Sequence, residues 1–244
     1  MEFTTFFEAC REIFARQKNL PVPTETQARS LFRLTEIMLE TNRHMNLTAI
    51  TEESAVILKH YADSLAVSGL IPEGARVIDV GCGAGFPTLP LAIFRPDLQI
   101  TALDATAKRI AYVQQTAKEL GLQNVAAMVG RAEELAKEVA FREAFDVATA
   151  RAVAALPALS ELCLPFVRIG GQFIAMKAAR AEEEAKLARN AITLCGGVLI
   201  ACHEQELIAE DGSADTRTLV EVTKKTATPS KYPRHFSQIS KKPL

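Results

Sequence analysis

Residues 79–85 read Asp-Val-Gly-Cys-Gly-Ala-Gly, so three glycines stand at alternate positions directly after a short β-branched segment, RVIDV. Glycine lacks a Cβ atom and adopts positive φ values readily, so this run lets a ligand approach the backbone closely. The segment before the glycines has the composition of a strand, and FPTLPLAIFRP after them that of a helix with proline near its start. A glycine turn between a strand and a helix, at the carboxyl end of an open α/β sheet, is a ligand-binding position.

The strand–helix alternation continues toward the C-terminus and predicts the fold class. Further strands are predicted at 99–104, 125–130, 145–151, 170–177, 198–208 and 216–224. Helices are predicted at 86–96, 105–122, 131–139, 155–168 and 180–197. Strands that alternate with helices form a parallel, doubly wound sheet, whereas the last two strands, separated only by EDGSAD, pair as an antiparallel hairpin. The sequence therefore predicts an α/β, Rossmann-like fold with a seven-stranded, mostly parallel sheet and an antiparallel last strand.

The residues before this alternating region are predicted to be helical. Apolar residues recur at helical spacing in residues 3–14, and Thr24 with Gln27 three residues later is a capping-box signature. A polar loop is predicted at 41–50, followed by another helix that contains HYADSL. We therefore divide the chain into an N-terminal helical region (1–70), a Rossmann-like domain (71–228) and a basic C-terminal tail (229–244).

The composition of the 244 residues, 48% hydrophobic and 23% charged, is that of an ordinary globular protein. No apolar run approaches the roughly 20 residues that span a bilayer, and the N-terminus lacks the basic flank and cleavage site of a secretion signal. The five cysteines include no C-x-x-C pair, which favours buried thiols in a reducing cytosol over disulfides or zinc. We therefore expect a cytoplasmic protein without a metal or a membrane contact, and nothing in the sequence demands more than a monomer.

Charge is unevenly distributed along the chain, although its net value is −1. Residues 222–244 carry six Lys or Arg and no Asp or Glu, which leaves 22 basic and 29 acidic side chains in the first 221 residues. A basic tail on an acidic body suggests contact with an anionic partner, and a solvated tail is the alternative.

The spacing of the glycines separates two classes of cofactor. The dinucleotide pattern G-x-G-x-x-G is matched by Gly81 and Gly83, but its third position is Phe86. The observed D-x-G-x-G-x-G resembles the first motif of class I S-adenosylmethionine-dependent methyltransferases. Asp79 is then placed to attract the ammonium group of the cofactor, directly or through water. Asp104, 19 residues after Gly85, is placed to accept the two ribose hydroxyls.

The residues after the fourth strand narrow the chemistry of the methyl acceptor. Enzymes that methylate an exocyclic amine hold it with an Asn/Asp-Pro-Pro-aromatic loop, and ATARAVAAL contains no such loop. Methylation of a pyrimidine carbon needs a cysteine nucleophile, but Cys163 lies inside a helical run and is expected in the core. Guanine N7 has a free lone pair and carries no proton at neutral pH, so it needs only to be held in line with the methyl group.

Several further motifs resemble the ribosomal RNA small-subunit methyltransferase G family, RsmG or GidB. They are NLTAI at 46–50, HYADSL at 60–65, DVGCGAGFPTLPLA at 79–92, GRAEE at 130–134, ARA at 150–152, TPSKYPR at 228–234 and KKPL at 241–244. The resemblance covers nearly the whole chain. It implies S-adenosylmethionine as cofactor, the small ribosomal subunit as partner, and methylation of N7 of guanine 527 in 16S ribosomal RNA.

Candidate site residues come from the glycine loop and from the family motifs. The candidate cofactor contacts are Asp79, Gly81, Gly83, Gly85, Phe86, Asp104, Ala105, Thr106, Ala132, Glu133 and Arg151. Phe86 would supply an apolar wall, Glu133 or its neighbour's backbone would read the adenine edge, and Arg151 would contact the cofactor carboxylate or a substrate phosphate. No acid or base is assigned; Arg151, Asn46 and Lys177 are candidates for positioning the acceptor.

Candidate RNA contacts are Arg43, Asn46, Lys177, Lys231, Arg234, Lys241 and Lys242. YPRHF at 232–236 mixes aromatic and basic groups that suit stacking and phosphate contact, although Tyr232 and Phe236 could instead pin the tail to the body. Asn46 could bind a base edge or cap a turn. His60 and Asp63 could position a base, but bracing of the helical layer is the favoured interpretation.

Two alternatives to an RNA methyltransferase remain at this point. One is a small-molecule methyltransferase of the same fold, against which the basic tail and the helical region argue. The other is an RNA-binding assembly factor that holds the cofactor without turnover.

Overall fold

The computed structural model describes residues 2–178 and 181–244 and contains a seven-stranded sheet. The strands are β1 (Arg76–Val80), β2 (Gln99–Asp104), β3 (Val125–Val129), β4 (Phe145–Arg151), β5 (Val167–Ala178), β6 (Gly197–Ile208) and β7 (Ala214–Lys224). Their order is β3-β2-β1-β4-β5-β7-β6, and β7 is antiparallel to both of its neighbours. The predicted fold class and the terminal hairpin are confirmed.

Helices cover both faces of the sheet and build an additional N-terminal layer. They are α1 (Phe3–Arg16), α2 (Glu25–Met45), α3 (Glu53–Val56), α4 (Asp63–Leu65), α5 (Thr88–Phe94), α6 (Ala107–Glu119), α7 (Ala132–Leu135), α8 (Leu156–Cys163), α9 (Ala181–Leu194) and α10 (Phe236–Lys241). A π-helical turn, Ile57–Ala62, joins α3 to α4. Because side chains alternate across a strand, Val77 of β1 packs in the core beneath the N-terminal layer and Ile78 in the core beneath α8 and α9.

Three predicted boundaries are wrong in part. Residues 41–45 are not loop, since α2 continues to Met45 and ends where Asn46 adopts the left-handed conformation (φ 48°), which asparagine tolerates. The helix predicted over 155–168 ends at Cys163, a 3-10 turn containing Pro165 follows, and β5 begins at Val167. The helix predicted over 131–139 is only the single turn α7. Arg180, the predicted start of α9, lies outside the described residues.

Some basic residues of the C-terminal segment form contacts within the folded protein. Lys224 is fully buried and donates to the carbonyl of Leu164 (2.7 Å) and the hydroxyl of Thr228 (2.6 Å), and burial lowers its pKa. Arg234 pairs with Glu161 of α8, whose carboxylate is fully buried. Lys231, Lys241 and Lys242 remain exposed.

No helix in the described ranges is long and apolar enough to cross a membrane. Within the same ranges, no three His, Cys, Asp or Glu side chains come together in a way that could hold a metal ion.

Candidate active site

Two cavities open near the carboxyl ends of the parallel strands, on either side of the turn that follows β4. The loop cavity, of about 210 Å³, is lined by Val80, Gly81, Leu103, Asp104, Ala105, Gly130, Arg131, Ala132, Glu133, Val153, Leu162 and Phe236. The basic cavity, of about 470 Å³, is lined by Ile50, Lys59, His60, Asp63, Arg151, Ala152, Met176, Lys177, Ala178, Glu184 and Arg217. Arg151 and Ala152 face one cavity and Val153 the other, so a single turn separates them.

The three glycines that follow β1 all have positive φ, but each meets different surroundings. A Cβ atom on Gly81 would lie 2.6 Å from a methyl carbon of Val153, and one on Gly85 would lie 2.6 Å from a methyl carbon of Leu89. A Cβ atom on Gly83 would meet only the carbonyl oxygen of Gly81, at 4.0 Å. Two of the glycines are therefore required by packing, and Gly83 presents its bare backbone to open space.

Asp104 ends β2 and holds the glycine loop in place. Its carboxylate accepts hydrogen bonds from the backbone N–H groups of Gly83 (3.1 Å) and Thr106 (2.7 Å). Each oxygen retains a second lone pair, and the residue lines the loop cavity. Asp104 can accept ribose hydroxyls there while it fixes the loop.

Glu133, at the first turn of α7, is the other acid of the loop cavity. It is only 3% exposed, and its Oε1 atom has no hydrogen-bond partner within residues 2–178 and 181–244. The nearest cation is the guanidinium of Arg131, whose Nη1 lies 3.8 Å away. A buried carboxylate oxygen without a donor is costly, so this atom is suited to a ligand N–H group.

Asp79 lies beneath the loop rather than in either cavity. It is 1% exposed and accepts hydrogen bonds from the hydroxyls of Thr88 (2.7 Å) and Thr149 (3.3 Å). Burial raises the pKa of Asp79 to about 6, although the hydrogen bond from Thr88 opposes that shift. Because the carboxylate is buried and lines neither cavity, any influence on a bound ammonium group passes through Thr88 or through the electric field.

Asp63 joins the N-terminal layer to the sheet at the floor of the basic cavity. One carboxylate oxygen accepts from Arg151 (2.8 Å) and the other from Arg217 of β7 (3.1 Å). Arg151 also donates to the carbonyl of Lys59 (3.1 Å), and its guanidinium carbon lies 5.4 Å from the centre of the Phe86 ring. Asp63 braces the layer, as favoured from the sequence, and it also orients both arginines.

His60 is stacked on Phe86 at the wall of the same cavity. The two ring centres are 4.5 Å apart and the rings are nearly parallel. Burial lowers the pKa of His60 to about 4, and the charge of Arg151 acts in the same direction. Its Nε2 lies 2.9 Å from the Thr48 hydroxyl. The imidazole is therefore neutral at physiological pH and packs as a flat, uncharged wall.

Sequence comparison with known proteins identifies one family. A family model described as GidB, rRNA small subunit methyltransferase G, matches residues 27–208. The chain belongs to this family. Two curated relatives are named ribosomal RNA small subunit methyltransferase G. The one from Alkaliphilus metalliredigens is 45% identical over 222 residues, which cover 90% of this chain and 92% of the relative. The one from Streptococcus pyogenes serotype M3 is 46% identical over 212 residues, which cover 86% of this chain and 88% of the relative.

Solved structures with low sequence identity share the fold of this family member. The [4+2]-cyclase SpnF aligns with a TM-score of 0.55 at 15% identity, over 84% of this chain and 97% of that one. An M. jannaschii TYW2 structure in complex with AdoMet aligns with a TM-score of 0.51 at 16% identity, over 67% and 75%. These similarities support the Rossmann-like fold.

The predicted site residues divide between the two cavities and the outer surface. Gly81, Asp104, Ala105, Ala132 and Glu133 line the loop cavity. Arg151 and Lys177 line the basic cavity, where Lys177 pairs with Glu184 (2.8 Å). Phe86 is 5% exposed behind His60. Thr106 precedes α6 and donates its N–H to Asp104.

The remaining candidates lie away from the cavity walls. Arg43 is exposed and pairs with Glu40 (2.9 Å). Asn46 ends α2 in the left-handed conformation, and whether its side chain binds a base edge or caps the following turn stays a prediction. Lys231, Arg234, Lys241 and Lys242 line neither cavity. Contact with RNA stays a prediction for the three exposed lysines. The guanidinium of Arg234 instead donates a hydrogen bond to Glu161.

Sequence reasoning missed several residues of both cavities. Arg217 and Lys59 reach the basic cavity, and Val153, Leu162 and Phe236 reach the loop cavity. Arg217 stands opposite Ala178 in the β5–β7 register, a pairing that arises from strand alignment and leaves no motif in the sequence. The only signal for Phe236 was the YPRHF stretch.

Proposed function

We propose that the chain transfers a methyl group from S-adenosylmethionine to N7 of a guanine in 16S ribosomal RNA, in the bacterial cytoplasm. By family resemblance the target is guanine 527 in the small ribosomal subunit. The observation that carries the proposal is a pair of cavities on either side of the turn at residues 151–153, one lined by glycines and acids and the other mainly by cations. A cofactor in the first and a base in the second can face each other across that turn.

The loop cavity is matched to an adenosine-bearing cofactor. Asp104 offers acceptors to the ribose hydroxyls, and the Oε1 atom of Glu133, which accepts no hydrogen bond among the described residues, offers one to the exocyclic amine of adenine. The open backbone at Gly83 leaves room for the methionine portion. When bound, S-adenosylmethionine supplies an electrophilic methyl group. The AdoMet complex of a structural neighbour with this fold supports the assignment.

The basic cavity is matched to a nucleotide. Four cations, Lys59, Arg151, Lys177 and Arg217, line it against two acids, Asp63 and Glu184. Asp63 holds Arg151 and Arg217 in fixed orientations, which preorganises them for phosphate or base contact. Guanine N7 carries no proton to remove, so these residues need only hold the base in line.

The pH dependence tests whether a proton is transferred. We expect kcat/KM for S-adenosylmethionine to be flat from about pH 7 to 8.5, because His60, with a pKa of about 4, stays neutral there. Below about pH 6, Asp79 becomes protonated and loses the charge that favours an ammonium group, so kcat/KM should fall. Asp79→Asn should remove that acidic limb, and His60→Gln should retain it with turnover within about tenfold of the parent. Loss of the limb in His60→Gln would show that the histidine is a general base.

The exposed lysines of the tail test RNA contact. Each phosphate contact made with single-stranded RNA changes log K by about 0.7 per unit of log salt. Replacing Lys231, Lys241 and Lys242 with Gln should therefore weaken 16S RNA binding and reduce the salt slope by up to about 2. A matched triple change of the exposed lysines Lys18, Lys118 and Lys186 should leave the slope unchanged. If the tail variant had the same salt slope of RNA binding as the control variant, tail contact would be contradicted, and the basic cavity would be favoured as the sole electrostatic contact with RNA.

The proposed activity is tested directly with unmethylated RNA. Purified protein, S-adenosylmethionine with a tritiated methyl group, and either naked 16S RNA or assembled 30S particles should give label at one guanine, located by primer extension after cleavage at N7-methylguanine. Label on a base amine, on a carbon atom or on no RNA would contradict the proposal. The ratio of the two rates identifies which form is the substrate.

A further inference from the structure

Residues 228–241 form a strap that is fastened to the body at several points. The backbone N–H of Arg234 donates to Glu161 (2.8 Å), and its guanidinium makes further bonds to the same carboxylate. Arg142 donates to the carbonyls of Thr228 (2.6 Å) and Tyr232 (3.1 Å). Tyr232 and Ile239 are buried. The strap is therefore part of the folded domain.

The attachment site of the strap also forms the wall of the loop cavity. Glu161 lies in α8 beside Leu162, which lines that cavity, and α10 packs against α8. The first residue of α10, Phe236, enters the lining together with Val153 and Ala132. Although its neighbours in the strap are anchored, Phe236 is 41% exposed. It thus keeps ring surface free at the edge of the cavity.

We propose that Phe236 is a cofactor-binding residue that packs its ring against the adenine of S-adenosylmethionine, so that the strap completes the adenine site. This rests on the proposed function. The Oε1 atom of Glu133, which accepts no hydrogen bond among the described residues, marks where the exocyclic amine of adenine would be held, and Glu133 lines the same small cavity as Phe236. Aromatic side chains bind purines well by stacking. The guanidinium carbon of Arg131, 6.0 Å from the Phe236 ring centre, borders the ring with a cation.

The strap lies outside the part of the chain that the family model matches. That match ends at residue 208, whereas the strap begins after β7, which ends at Lys224. The acids and glycines of the loop cavity belong to the matched part, but its aromatic wall does not. Cofactor affinity in this protein would then depend on a segment that also carries the exposed lysines Lys231 and Lys241.

The proposal is tested by calorimetric binding of S-adenosylmethionine and of 5′-methylthioadenosine, which lacks the methionine portion. Phe236→Ala should weaken both ligands by the same factor, about tenfold, whereas Phe236→Tyr should bind within about twofold of the parent. Ile200→Ala, a matched control that removes an exposed apolar side chain from β6, should change neither affinity.

The possible outcomes separate this inference from the proposed function. If the parent binds S-adenosylmethionine and Phe236→Ala binds it equally well, the aromatic wall is refuted and the proposed function stands. A loss confined to S-adenosylmethionine would place Phe236 at the methionine end and would also overturn the inference. If the parent binds neither ligand, the proposed function fails and the inference fails with it.

Discussion

Replacing Gly83 with valine is expected to reduce S-adenosylmethionine affinity by about 100-fold or more, equivalent to about 2.7 kcal/mol. Gly83 has φ +57°, and a Cβ atom there would meet only the carbonyl oxygen of Gly81, at 4.0 Å. A branched side chain would occupy the volume in which the methionine portion of the cofactor is proposed to lie. The measurement is calorimetric titration of the folded variant, with the fold checked by circular dichroism.

The experiment must separate backbone strain from a block of the cofactor site by the new side chain, because valine is disfavoured at positive φ wherever it is placed. Gly74 provides the control, since it has φ +68° and no atom within 4 Å of a built Cβ. Gly74→Val should lose a similar amount of stability and keep the parent's cofactor affinity. Equal affinities in the two variants would contradict a cofactor site on the glycine loop.

Replacing Arg234 with glutamine is expected to lower the free energy of unfolding by about 3 kcal/mol. Glu161 is fully buried, and its hydrogen bonds among the described residues come from Arg234. Removing the guanidinium leaves a buried carboxylate with only the backbone N–H as donor, and breaking a buried ion pair in this way typically costs about 3–5 kcal/mol. We expect a cost at the low end of this range because the Arg234 side chain is 22% exposed. For a domain of this size the loss corresponds to a fall in Tm of about 6–12 °C.

Lys231→Gln is the matched control, because this cation is on the same strap but exposed. It should melt within about 1 °C of the parent. Adding Glu161→Gln to Arg234→Gln should recover part of the lost stability, since the unpaired buried charge is then absent. An Arg234→Gln variant as stable as the parent would mean that the ion pair does not hold the strap, and Arg234 would again be available for RNA.

Local sequence patterns were enough to predict the fold and the position of the loop cavity. The glycine run with Asp104 on the next strand predicted the loop cavity, because these residues belong to consecutive elements whose carboxyl ends meet at one edge. The capping box at Thr24 and Gln27 forms as predicted. Errors arose at helix ends, where the left-handed Asn46 and Pro165 decide the boundary through single-residue conformation.

The sequence by itself determined the class of fold, the cofactor motif and the family resemblance, because each depends on residues close together in the chain. Only the tertiary structure decided how distant charges are used. Arg151 and Arg217 share Asp63, which precedes them by 88 and 154 positions, and Arg234 reaches Glu161 across 73. The local sequence around a basic residue does not indicate whether its side chain is exposed to solvent or paired with a buried carboxylate. Long-range packing therefore engaged two of the six cations of residues 222–244 in internal ion pairs, and it placed Phe236 at the loop cavity.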